Sequence, residues 1–455
     1  MTVPRWYPGA LLALGLLAAL YVVGARAGAG LAALGVALCL VAAVAARRGD
    51  LWTVVLWQLA AALAVVPAVR AASWVWSMDV VAAGLLASLA AAGGRSGRQV
   101  ALGLLAAWRR LPWGPVVALS PLRRPDAARF RPALRGGVLA VVLLAVFVPL
   151  FATADAAFAE LLDRAVPREV PVDQPVGRAV ALVFVVAAGG ALLLAARRGA
   201  VRPGRPARPR LARLDWLLPL GALVALFAGF VGIQVTTLFA GHSHVLRTAG
   251  LTYAEYAHRG FGQLIAVAAL TLAVIGGAVR WARVETRRDA LVLRGLLGAL
   301  CVLCLVVMAS ALKRLGLYEE AFGFTRLRLL ADAHILWLAG VLALTLVAVA
   351  SGKAGWLPRA VVAISAAGAL VFALSNPDGR IASENVARGN VDLHYLAGLS
   401  ADAAPALATL NQRACALSRI RRDLRPDGWA GANVGRARAR EAIEDVAPAG
   451  PRCLH

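Results

Sequence analysis

Residues 216–240 read WLLPLGALVALFAGFVGIQVTTLFA. Twenty-five residues pass without a charge, and the runs 27–46, 136–154 and 260–279 repeat the pattern. About 20 apolar residues in a helix cross the hydrocarbon core of a bilayer. Buried helices of soluble domains rarely stay uncharged that long. A β-barrel would show short segments of alternating polarity, and none are visible. Composition agrees: 60% of the 455 residues are hydrophobic, only 16% are charged, and the mean hydropathy is +0.73. The sequence therefore predicts an all-α, polytopic transmembrane helix bundle.

About eleven spans are expected, near 8–24, 28–46, 51–69, 74–92, 136–152, 178–196, 216–236, 261–279, 290–312, 335–351 and 359–375. Ala25-Arg26-Ala27 resembles a leader-cleavage site. A second apolar run follows at once and only Arg5 precedes the first, so a retained first helix is expected. Arg109, Arg110 and Pro112 interrupt 99–119, which reads as an interfacial helix on the cytoplasmic side rather than a span. Trp6, Trp52, Trp74, Trp76, Trp216, Trp281, Trp337 and Trp356 fall at expected span ends, where amphipathic rings favour the headgroup level.

The formal net charge is +24, almost all from arginine. These arginines sit in loops between apolar runs, so the expected partners are the lipid bilayer and anionic headgroups at the cytoplasmic Arg clusters, with no nucleic acid. With the N-terminus inside, the cytoplasmic segments carry 25 Lys and Arg and the outer loops 11. That bias places the chain in a bacterial cytoplasmic membrane, N-terminus in, and with eleven spans the C-terminus is extracytoplasmic.

Four regions follow. Residues 1–196 form an N-terminal membrane half of about six spans, including the cytoplasmic interfacial segment 93–135. Residues 197–215 are a basic, Pro/Arg-rich cytoplasmic linker. Residues 216–375 form a C-terminal half of about five spans, and 376–455 a small helical extracytoplasmic tail. In the tail, Asn376 suits a cap, Pro377 the first helical position and Gly389 the stop. Leu407, Leu410, Leu417, Ile420 and Leu424 recur at helical spacing, so about three helices are expected, packed on the outer face or on a protein partner. A Cys415–Cys453 disulfide would staple so small an appendage. Cys39, Cys301 and Cys304 read as small core residues. The Gly pairs 189–190 and 276–277 read as sites of close helix packing.

Polar residues concentrate in two outer loops. In 250–264, GLTYAEYAHRGFGQL, Thr252 and Glu255 form a capping box, Glu255 and Arg259 are spaced to pair, and Tyr253 and Tyr256 fit the aromatic belt. His242, His244, Glu255 and His258 have the donor types for zinc or a similar divalent ion, with His334 and His394 as further candidates. The capped-helix reading accounts for the same residues without a ligand, so no cofactor is expected. The second concentration is 317–334, LYEEAFGFTRLRLLADAH, where Glu319 and Glu320 are expected to pair with Arg326 or Arg328, or with Arg259. The span interiors hold no ionisable residue near a midplane, against an ion-coupled transporter. No phosphate-loop, nucleophile-elbow, zinc-protease or kinase signature is present.

Three stretches carry a resemblance: Leu251-Thr252-Tyr253-Ala254-Glu255-Tyr256-Ala257-x-Arg259-Gly260-Phe261; Gly323-Phe324-Thr325-Arg326-Leu327-Arg328; and Asn376-Pro377-Asp378 with Asn385-x-x-Arg388 and Asp392-Leu393-x-Tyr395-Leu396. They resemble bacterial multi-pass membrane proteins of the domain-of-unknown-function family numbered 4173, related to number 4153, over roughly the C-terminal 240 residues. The resemblance implies an integral membrane protein with no assigned activity. It includes Tyr253, Glu255, Tyr256 and Arg259 but not the three histidines 242, 244 and 258. The expected function is a non-enzymatic sensor, scaffold or permease-like component with an outer-face site at Tyr253, Glu255, Tyr256, Arg259, Glu319, Glu320, Arg326 and Arg328. The alternative is a membrane-embedded, metal-dependent enzyme using the outer His, Glu and Asp residues.

Overall fold

The computed structural model describes residues 3–47, 49–119, 174–199, 211–239, 261–389 and 391–447. Among them there is no strand, only one isolated bridge between Leu211 and Ala282. The chain divides into two compact units. One holds Met1–Arg202 with Ala397–Ala408 and Gln412–His455; the other holds Pro203–Leu396 with Thr409–Asn411. The tail residues are thus shared between both units.

In the first unit, α1 (Tyr7–Leu17) runs into a wider turn at Ala18–Val22, followed by α2 (Ala29–Ala46), α3 (Leu51–Val69) and α4 (Ser73–Ala92). Short connections make these neighbours antiparallel, so 22–28 and 70–72 share one end of the bundle. After α5 (Gly97–Leu104), a tight turn at Trp108–Trp113 and α6 (Gly114–Ala118), the unit closes with α7 (Pro175–Arg198). No piece of 97–118 is long enough to cross a bilayer. Nor is the segment one interfacial helix: it breaks at Leu105, where Ser88 answers the freed groups by donating to the Gly103 carbonyl and accepting from the Ala107 N–H, both at 2.8 Å. Further along, Gly114 lies so close to α7 that an added Cβ would sit 2.7 Å from the Ala187 carbonyl carbon. The Gly189–Gly190 pair supplies the matching flat surface, with the Tyr7 hydroxyl donating to Gly189 at 2.8 Å. Among the described residues, nothing lies within 4 Å of a Cβ added at Gly276 in the other unit, so no close crossing is seen there.

The tail docks on the 22–28 and 70–72 end of this unit. Asp402, 4% exposed, accepts from the Ala71 and Ala72 N–H groups at 2.8 and 2.9 Å, placing its charge at the positive start of α4. Asn433 donates to the Pro67 carbonyl at 2.8 Å and caps the tail's final helix, Val434–Glu444. Arg436 reaches both Asp427 oxygens at 3.2 and 3.0 Å, the Ala27 carbonyl at 3.0 Å, and the Gly431 carbonyl. Arg440 pairs with the same Asp427. Gly28 is required here: a Cβ on it would stand 2.5 Å from the Gly431 backbone. Leu407, Leu417 and Ile420 are buried as their spacing predicts, but the chain breaks into several short helices rather than three.

The second unit contains α8 (Arg213–Phe239), α9 (Phe261–Trp281), α10 (Arg287–Phe322), α11 (Arg326–Ser351), α12 (Leu357–Leu374) and α13 (Pro377–Ala387). Leu297, Leu300, Cys304, Met308, Ala311 and Leu315 recur every three to four residues on α10 and bury against α8, α9 and α11. Trp216 is 2% exposed in this core and donates to the Arg283 carbonyl at 3.4 Å, so it is not a belt residue as its position suggested. Its indole N–H finds a partner in the loop, which lets the ring leave the interface.

Eight helices among the described residues are long and apolar enough to cross a membrane: α2, α3, α4, α7, α8, α10, α11 and α12. Two shorter apolar helices, Tyr7–Val22 and Ile265–Trp281, correspond to two more expected spans, and the eleventh, near 136–152, lies outside the described residues.

Candidate functional site

The helix α10 has 36 residues, about 54 Å at 1.5 Å per residue, well beyond a hydrocarbon core of about 30 Å. Its last turns carry Tyr318, Glu319 and Glu320 past the apolar stretch. Gly323, at φ 73°, ends it, and Thr325 starts α11 by accepting from the Arg328 N–H at 3.4 Å. At the same end of the unit, α12 stops and Asn376, in the left-handed region at φ 55°, caps α13 by accepting from Gly379 at 3.3 Å. Pro377 occupies the first turn, as its fixed φ favours.

Two of the three motif stretches meet here. Arg326 donates from Nε and a terminal nitrogen to the two oxygens of Asp378, at 2.9 and 2.6 Å, and Asp378 is fully buried. This is the bidentate fork that a planar guanidinium makes best. The Arg326 backbone N–H donates to the Tyr395 hydroxyl at 2.8 Å. Burial raises the pKa of that hydroxyl, keeping it neutral. Asn385 pairs with Phe324 as two peptide groups would, accepting from its N–H at 2.6 Å and donating to its carbonyl at 2.9 Å. The Arg388 guanidinium covers the Phe324 ring at 4.6 Å.

Of the expected partners of Glu319 and Glu320, Arg326 and Arg328 are engaged elsewhere, and Arg259 lies outside the described residues. Arg326 is taken by Asp378. Arg328 caps the end of α10 by donating to the Phe322 and Gly323 carbonyls and lies 4.2 Å over the Tyr318 ring, where the helix terminus attracts positive charge. Glu320 is exposed and forms no salt bridge among the described residues. Glu319, 5% exposed, has no donor to Oε1 among the described residues and lies beside the Asp332 carboxyl.

Tyr253, Glu255, Tyr256, Arg259, His242, His244 and His258 lie outside the described residues, as does Cys453. Cys415 is disulfide-bonded, whereas Cys39, Cys301 and Cys304 are free and buried. His334 is exposed, its Nδ1 2.8 Å from the Leu330 carbonyl, and no three His, Cys, Asp or Glu residues converge as metal ligands among the described residues. Asp378, Asn385 and Tyr395 were visible in the sequence only as parts of the motif run. Asp402, Asp427, Asn433 and Arg436 gave no sequence signal, because charged residues in a polar tail look like solvated ones.

Helices of this length and polarity, joined by short polar turns, define a multi-pass α-helical membrane protein. The chain belongs to the family described as Domain of unknown function (DUF4153), whose model matches residues 57–410. The match corrects the family number expected from the motifs, 4173, to that of its relative, and it reaches back into α3. No curated protein and no solved structure matches the chain.

Proposed function

We propose that this protein is a non-enzymatic component of the bacterial cytoplasmic membrane, a scaffold or sensor whose extracytoplasmic tail is held on its helix ends by buried polar contacts. One observation carries the reading: the motif side chains Arg326, Asp378, Asn385 and Tyr395 bond to one another and to the Phe324 and Arg326 backbone. Groups committed to each other in this way shape a surface; a catalytic set would leave donors and acceptors aimed at a substrate. Cys415, disulfide-bonded in the tail, supports an oxidising, extracytoplasmic location, with Cys453 as its proposed partner. The Lys and Arg bias supports a cytoplasmic N-terminus.

One observation favours the enzymatic alternative: the buried Glu319 Oε1, without a donor among the described residues, beside Asp332. A single comparison separates the two. Arg326→Leu combined with Asp378→Leu removes the pair together, and Glu319→Gln with Asp332→Asn removes the carboxyls without changing shape. For a scaffold or sensor, cellular phenotype follows thermal stability in both double variants. A Glu319→Gln/Asp332→Asn protein that is fully stable yet fails to support the wild-type cellular function would defeat the non-enzymatic reading. Reporter fusions after Val446 test the topology: alkaline phosphatase active and green fluorescent protein dark is the expected pair.

A further inference from the structure

The first unit holds a cavity of about 680 Å³ at the end where the tail docks, between the turn after α1, the start of α7 and residues 423–431. Three arginines line it: Arg26, Arg178 and Arg425. Arg26 is fixed by one bond, to the Asp423 carbonyl, and Arg425 is exposed; neither guanidinium has a carboxylate partner among the described residues. The carboxylates on the wall do not cancel them. Asp427 is already spent on Arg436 and Arg440, and Asp423 lies exposed at the rim. Tyr21 and Trp429 close one side, ring centroids 5.3 Å apart, and stay 45% and 61% exposed. Aromatic rings with a wet edge are what the headgroup level of a bilayer selects.

A second, apolar cavity of about 350 Å³ begins on the same turn of chain. Ala18 and Val22 line it, whereas Leu20, Tyr21 and Val23 line the basic one. It continues between α2, α4 and α7 past Leu38 and Phe184 to Trp108, following α7 from Ala181 to Leu192, about 16 Å at helical rise. A charged mouth at a span end, lined by the same turn of chain as an apolar slot between membrane-length helices, matches one kind of molecule in shape and polarity.

We infer that this unit binds an anionic phospholipid, its phosphate held by Arg26, Arg178 and Arg425 beside Tyr21 and Trp429, and an acyl chain in the slot between α2, α4 and α7. A guanidinium reads a phosphate through paired N–H donors, so a zwitterionic lipid, which brings its own cation, is disfavoured. The site is built from residues of the first unit and does not depend on what the Arg326–Asp378 cluster does.

The test uses the full-length protein in neutral detergent, supplied with equal amounts of phosphatidylglycerol and phosphatidylcholine and read by native mass spectrometry. The expected result is retention of phosphatidylglycerol over phosphatidylcholine by roughly tenfold or more, since each arginine near the surface contributes severalfold. Arg425, whose side chain forms no salt bridge among the described residues, is the milder target: Arg425→Gln should cut that ratio severalfold with thermal stability unchanged, and Arg26→Gln/Arg425→Gln should bring it near parity. Ala188→Phe, which fills the slot and leaves the arginines alone, should lower retention of both lipids. Equal retention in the unaltered protein, a ratio indifferent to Arg425→Gln, or unchanged lipid retention in Ala188→Phe would each overturn the inference. So would inorganic phosphate that displaces phosphatidylglycerol at equal concentration, because the ligand would then be the free anion.

Discussion

Replacing Arg436 by methionine tests the docking of the tail most directly. The side chain is 7% exposed and the partner Asp427 is 3% exposed. Its guanidinium serves both Asp427 oxygens and the carbonyls of Ala27 and Gly431. Methionine restores the apolar stem and removes every donor. Breaking a buried pair from one side typically costs about 3–5 kcal/mol. Arg440 still reaches Asp427, so the carboxylate is not stranded, which argues for the lower part of that range. The two carbonyls lose their donor and add about 1 kcal/mol each where water cannot reach them. A net loss of about 3–5 kcal/mol, the upper end holding where water reaches neither carbonyl, raises the undocked population by roughly 10²- to several 10³-fold. When opening is fast, cleavage by a protease follows that population. The assay is the rate of tail cleavage by trypsin in detergent, with peptides identified by mass. Arg436→Met should accelerate cleavage within 413–440 by at least two orders of magnitude. Cleavage at an unchanged rate would refute the claim that this buried arginine holds the tail.

Further outcomes are expected. Gly28→Leu places a side chain where the Gly431 backbone already stands, so it should release the tail as strongly as Arg436→Met, whereas Gly9→Leu, with open space around it, should not; tryptic cleavage reads both. Burial pushes the Asp427 pKa up, but hydrogen bonds and charge from Arg436 and Arg440 outweigh it, and the carboxyl is held below the usual range. A carboxyl lowered in the folded state stabilises docking above its unfolded pKa of about 3.9 and loses that contribution as pH falls through the folded value. Tail cleavage by a pH-tolerant protease should therefore be flat down to about pH 4 and rise below it, and Asp427→Asn should abolish that acid step. Asn385→Leu strands both polar groups of Phe324, at about 1–3 kcal/mol each, and should lower the melting temperature clearly more than Ser383→Ala on the same helix.

The fold class was legible because the bilayer leaves few solutions: uncharged runs of span length can only be helices. Caps were legible too, as Asn376 and Pro377 act where their local chemistry predicts. What could not be read was partnership. Arg326 had acidic neighbours in sequence at Glu319 and Glu320, yet it bonds Asp378, 52 residues away. Proximity along the chain favours a pair only weakly; a fully desolvated carboxylate with matched fork geometry wins by several hydrogen bonds' worth of energy. Arg436 was harder still, because nothing local marks a tail arginine as buried. Trp216 shows the same limit, since its place beside a span end is compatible with either the belt or the core.

The bond from Arg436 to the Ala27 carbonyl joins residues 409 apart in the chain. At ribosomal speeds of about 5–20 residues per second, roughly 20 to 80 seconds separate the synthesis of those two ends. For that interval the Ala71 and Ala72 N–H groups and the Pro67 and Ala27 carbonyls must be held by water or by another protein. The first helices to enter the membrane are thus among the last to be finished. A ribosome that stalls late would leave a bundle of ordinary appearance with an open end, and that end is a mark by which a quality-control protease could tell incomplete chains from complete ones.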